Sequence, residues 1–96
     1  MKSFASLAVL VLALALASPA SAACYADYKA KQDNPLRFNY GVSELPDNAC
    51  DKQRAKAALA PRLANEGWTL LNVLSIFGPE GLNERKAIAG DYFLRF

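Results

Sequence analysis

The sequence predicts an α+β domain: a small, mainly antiparallel β-sheet of about four strands with one kinked α-helix packed on one face, in the order ββαββ. Three observations lead there. Residues 24–32 and 36–43 alternate in polarity with the period of two that marks half-buried strands. Residues 49–66 turn to Ala, Lys, Arg, Gln and Leu, which lose little side-chain freedom in a helix. Directly after Gly67, residues 68–77 form the longest strand-like apolar run outside the N-terminal leader.

The leader is a secretory signal. Lys2 supplies the positive start, residues 4–17 are apolar apart from Ser6, Ser18-Pro19 breaks the run, and Ala20-Ser21-Ala22 is a small-x-small cleavage site. An apolar stretch of fourteen residues is shorter than the ~20 needed to span a bilayer. The expected organisation is therefore a cleaved signal peptide over 1–22 and a single α+β domain over 23–96 that is periplasmic or secreted and has no membrane span. Both cysteines, Cys24 and Cys50, fall in the exported part, where an even pair reads as a disulfide. The competing reading is a lipoprotein acylated at Cys24. It fits less well, because Ser21 stands where such signals carry an aliphatic residue and Cys50 would be left alone.

In strand one, Tyr28 and Ala30 alternate with Lys29 and Lys31. Asp33-Asn34-Pro35 breaks it. Leu36, Phe38, Tyr40 and Val42 then alternate with Arg37, Asn39, Gly41 and Ser43, so the two runs suggest a β-hairpin in which Gly41 marks a bulge or a close approach. Pro46-Asp47-Asn48 offers Asp47 or Asn48 as a helix N-cap. The buried helix face is narrow: Ala55, Ala58, Leu59, Arg62 and Leu63. Pro61 within it predicts a kink or a restart, because proline lacks the N–H and clashes with the preceding turn.

Gly67 is placed as a left-handed helix cap. In the strand that follows, Trp68, Leu70, Asn72, Leu74 and Ile76 share one face, and Thr69, Leu71, Val73, Ser75 and Phe77 the other. Two largely apolar faces predict an inner strand. Residues 82–89 read as a loop with two helical turns, and Tyr92-Phe93-Leu94-Arg95-Phe96 as a terminal strand.

The helix end, Glu66-Gly67-Trp68 with Leu70, Leu71 and Val73, and the closing Phe93-Leu94-Arg95-Phe96 together resemble the family called domain of unknown function 4177. The resemblance covers residues 59–77 and 92–96, and 28–42 more loosely. It implies a single α+β domain. It implies no activity, since that family has none established; the signal peptide, the cysteine pair and residues 78–90 set this chain apart from the family's short form.

Composition excludes much chemistry. Eleven Lys and Arg against nine Asp and Glu, with no polybasic run, argue against nucleic acid and anionic lipid as partners. With no histidine and both cysteines paired, neither Ser-His nor thiolate nucleophiles are available. No glycine-rich phosphate loop is present, and no cofactor is expected. The carboxylate pairs Glu80 with Glu84 and Asp47 with Asp51 read better as a polar loop and a helix N-terminus than as acid-base groups.

Two candidate sites remain. One is the second apolar sheet face, with Leu71, Val73 and Phe77 as a dimer contact or an apolar groove. The other is the charged loop carrying Glu80, Glu84, Arg85 and Lys86. The expected function is a small non-enzymatic binding or interaction domain of the periplasm or cell envelope, with a homodimer or an envelope protein as partner. The alternative is a small enzyme, or enzyme subunit, using Glu80, Glu84, Tyr40 or Tyr92 in a cleft.

Overall fold

The computed structural model describes residues 24–96; the leader expected over 1–22 lies outside them. Strand β1 (Cys24–Gln32) and strand β2 (Arg37–Leu45) form an antiparallel hairpin in continuous register, from Cys24 opposite Leu45 to Gln32 opposite Arg37. A 3-10 turn (Asp47–Ala49) leads to helix α1 (Lys52–Asn65) and strand β3 (Thr69–Phe77). A second turn (Pro79–Gly81), helix α2 (Leu82–Ala89) and a third turn (Gly90–Tyr92) complete the chain. The order is thus ββαβα. The sheet has three antiparallel strands, arranged β2-β1-β3.

The α+β class is as the sequence predicts, but the strand count and the centre of the sheet differ. β1 is the inner strand, with Ala26, Tyr28 and Ala30 fully buried, and β3 is an edge strand in which no residue is fully buried. Small side chains decide this. Ala26 and Ala30 leave room for α1, whose Ala55, Leu59 and Leu63 pack on them with Leu45 and Trp68.

The expected terminal strand does not form. Tyr92 ends a 3-10 turn, and Phe93 makes one isolated parallel bridge to Val42. Leu94 has φ 56°, which no strand accommodates, while its N–H donates to the Val42 carbonyl at 2.8 Å. Alternation of aromatic and aliphatic residues here serves packing: Tyr92 and Phe96 plug the core, and Tyr92 meets Trp68 edge-on at 5.6 Å.

Local capping explains the helix limits. Asp51, rather than Asp47 or Asn48, is the N-cap, its carboxylate accepting the Arg54 N–H at 2.8 Å. α1 runs through Pro61 without restarting. At its end the Trp68 N–H donates to the Leu63 carbonyl and the Gly67 N–H to that of Ala64. With Gly67 at φ 82° this is a Schellman ending, and the buried pair Leu63 and Trp68 supplies its apolar contact.

Strict alternation fails in β3 because the register against β1 shifts twice. Tyr28 pairs with Val73 although Asp27 pairs with Ser75, and Ala30 pairs with Leu70 although Lys29 pairs with Asn72. Leu74 and Leu71 are the extra residues. Each bulge flips the faces that follow. Leu70, Val73 and Ile76 consequently pack against the core under α1, while Asn72, Ser75 and Phe77 lie on the other side with Lys29, Asp27 and Tyr25.

The two cysteines are joined, with Cα atoms 6.0 Å apart. The bridge ties the start of β1 to the residue before the α1 cap.

Candidate functional site

The side of the sheet away from α1 carries the odd-numbered residues of β1 and the even-numbered ones of β2. Its chemistry is concentrated at Asp27, an acid in the central strand. Asp27 is 7% exposed, and burial by itself would raise its pKa. Hydrogen bonds from Ser75, Tyr40 and Arg85, with the Arg85 charge, more than offset that and hold the carboxyl below its ordinary value. Ser75 Oγ donates to Oδ1 at 2.6 Å; Tyr40 Oη, at 2.8 Å, and Arg85 Nε, at 3.1 Å, donate to Oδ2. Burial, then the bond to Asp27 and its charge, push the Tyr40 hydroxyl up to about 12.

Arg85 fastens α2 to the sheet. Besides Asp27 it donates from Nη1 to the Gly81 carbonyl and to Glu84 Oε1, both at 2.8 Å. Its guanidinium lies 3.8 Å from the centroid of the Phe77 ring, which in turn stacks on Tyr25 at 6.1 Å. Of the charged-loop residues, then, only Arg85 turns inward; Glu80, Glu84 and Lys86 lie on or beside α2. The two helical turns expected over residues 82–89 are present as α2 and take up the whole of that span, with a 3-10 turn on either side.

The residues expected to act together are separated. Leu71 is 42% exposed, Val73 faces the core, and Phe77 sits under Arg85. Tyr40 joins the Asp27 cluster, whereas Tyr92 packs against Trp68 in the core on the α1 side. Sequence reasoning passed over Asp27 and Ser75. The signal was a carboxylate set between Ala26 and Tyr28 in the strand's more apolar first half, since a charge buried there persists only with partners.

α2 covers only the half of this face around Asp27 and Phe77. Beyond it lies a hollow of about 420 Å³ lined by Lys29, Phe38, Asn39, Tyr40 and Leu71. Phe38 stands at its rim 66% exposed. A larger hollow of about 510 Å³ lies between Glu44, Leu45, Pro46, Arg62 and residues 94–96. Its arginines are engaged: Arg62 donates to the Glu44 carbonyl at 2.8 Å, and Arg95 lies over the rings of Tyr92 and Phe96.

Among the described residues no group of three or more Cys, Asp and Glu side chains is placed to hold a metal ion. No described helix is long and apolar enough to cross a membrane. Compared with known protein families, curated proteins and solved structures, the chain matches none.

Proposed function

We propose that this protein is an exported, non-enzymatic binding domain of the periplasm or cell envelope, and that it docks its partner on the bare half of the second sheet face. The observation that carries the reading is the exposure of Phe38 and Leu71 around one hollow, with the Lys29 ammonium and the Tyr40 ring beside them. Solvated apolar side chains gathered around a concavity mark interaction sites more often than chance placement does. The disulfide supports export, because such bridges persist in oxidising compartments.

The neighbouring cluster favours binding over acid-base catalysis. Asp27 is buried and its pKa is lowered by the three hydrogen bonds it accepts and by the Arg85 charge, and Tyr40 is kept protonated by burial, foremost, and by its bond to Asp27. A general base needs a proton affinity near the working pH and reach to a substrate proton, which this buried, weakly basic carboxylate lacks. Kinship with domain of unknown function 4177 is retained as part of the proposal on the strength of Glu66-Gly67-Trp68, and it adds no activity.

A photo-reactive phenylalanine analogue at position 38 tests the docking surface in the exporting cell. It should trap a discrete adduct, and the same group at exposed Lys52 on α1 should not. Equal labelling at both positions, or none at position 38, would remove the support for this surface.

A further inference from the structure

We propose that the hollow beside Lys29 receives the C-terminal carboxylate of a partner chain whose last residue is apolar. This deepens the docking reading above and rests on it, naming the chemistry that the partner presents. Lys29 lies on the central strand, opposite Tyr40 on one side and Asn72 on the other. Among the described residues it enters no ion pair. The acids nearest it in sequence are taken: Asp27 by Arg85 at 3.1 Å, and Asp33 by Lys31 at 3.5 Å.

Of the residues lining the hollow, Lys29 alone is charged. One uncompensated ammonium matches one negative group. A phosphate polymer or an anionic lipid surface needs clustered positive charge, which the hollow lacks. Apolar walls define the rest of the occupant. Phe38 on β2 and Leu71 on β3 stand on either side of the lysine's strand, 66% and 42% exposed. The occupant therefore brings a carboxylate and an apolar group into one concavity. At about 420 Å³ this hollow is at the lower end of ligand-holding concavities, ~300–1,000 Å³, and has room for a chain end rather than for a folded surface.

An internal acidic residue meets these demands poorly. Neighbouring side chains of an extended segment point to opposite sides, so the nearest apolar side chain on the acid's own side is two residues away, about 7 Å. A terminal residue carries its carboxylate and its side chain on one Cα. The carboxylate accepts from the Lys29 ammonium, and exposed Asn72, across from Lys29 on the same face, donates from its carboxamide. The last side chain packs between Phe38 and Leu71. Tyr40 donates its hydroxyl proton to Asp27, so it contributes its ring and not a hydrogen bond.

Amide chemical shifts of the folded chain, disulfide intact, test this with three synthetic probes: acetyl-Ala-Ala-Ala-Leu as the free acid, the same peptide as the C-terminal amide, and acetyl-Ala-Asp-Ala-Leu amide, whose acid is internal. The free acid should shift Lys29, Phe38, Leu71 and Asn72 saturably and bind about fivefold or more tightly than either amide. Lys29→Gln, at an exposed position, should erase that preference. Photo-trapping from position 38 in the exporting cell separates this inference from the reading on which it rests. An adduct attached within the last residues of the trapped protein, and diminished by Lys29→Gln, supports both. An adduct on an internal segment, or one indifferent to Lys29→Gln, overturns the terminal carboxylate while the docking surface stands. Equal binding of the three probes, or binding of none, overturns it likewise, and the absence of any adduct removes both.

Discussion

Tyr28 and Gly41 are cross-strand partners at the centre of the hairpin, and the Tyr28 ring occupies the space that any Gly41 side chain would need. A methyl group there would overlap Tyr28 Oη and Cζ. Gly41→Ala should therefore cost about 2–3 kcal/mol by overpacking and lower the melting temperature. The hydroxyl itself is buried without a hydrogen-bond partner among the described residues, so Tyr28→Phe should leave stability unchanged or raise it. Thermal denaturation of both variants checks this; a Gly41→Ala protein melting like wild type would show that the ring is free to move.

Arg85 is the counter-ion of Asp27 and the clasp of α2. Arg85→Ala should cost about 2–4 kcal/mol, because it leaves a mostly buried carboxylate short of its charge partner. The lowered folded-state pKa of Asp27 fixes the sign of the acid response. Its contribution is complete above the unfolded carboxylate value and disappears as pH falls through the lower folded one. Urea melts on the acid side should show that loss in wild type and little of it in Asp27→Asn.

At the alkaline end the sign reverses. Burial, foremost, pushes both Tyr28 and Tyr40 up to about 12, above the ordinary value of 10.0. Their contribution is complete below pH 10 and is lost as pH rises towards 12. Phenolate absorbance should contain a late-ionising component, and Tyr40→Phe and Tyr28→Phe should each remove part of it. A late component unchanged in both variants would contradict the burial of Tyr28 and Tyr40.

The Cys24 to Cys50 bridge spans 26 positions of sequence. On the chain-entropy model a loop of that size contributes about 3–4 kcal/mol, a large share of what so small a domain retains. Replacing both cysteines by serine should lower the denaturant midpoint with the unfolding slope raised, since the unbridged unfolded chain is less compact. An unchanged midpoint would mean that the bridge constrains little in the unfolded chain.

Local chemistry made much of this fold legible. Period-two alternation located β1, and Asp33-Asn34-Pro35 located the hairpin turn. Gly67 and Trp68 read correctly as cap and core edge. Tertiary effects did not show. In β2, Phe38 is largely exposed while Asn39 and Ser43 are buried, because the face that meets α1 was decided by the small residues of β1 opposite it. In β3 the two bulges reversed face assignments that single-strand alternation cannot detect. The Asp27 cluster gathers residues 48 and 58 positions from Asp27 in sequence, a separation that no local pattern encodes.

The closing segment beside Val42 also limits growth of the sheet. A sheet with two free margins can add strands without end, which is the route to fibres. Here Phe93 bridges Val42 and the Leu94 N–H donates to the Val42 carbonyl, which interrupts the free margin of β2 at that point and hinders strand addition there. Those last residues thus act as a terminator. Removing them would leave that margin open along its length, and the chain so trimmed should form filaments, visible as concentration-dependent thioflavin fluorescence, where the intact chain does not.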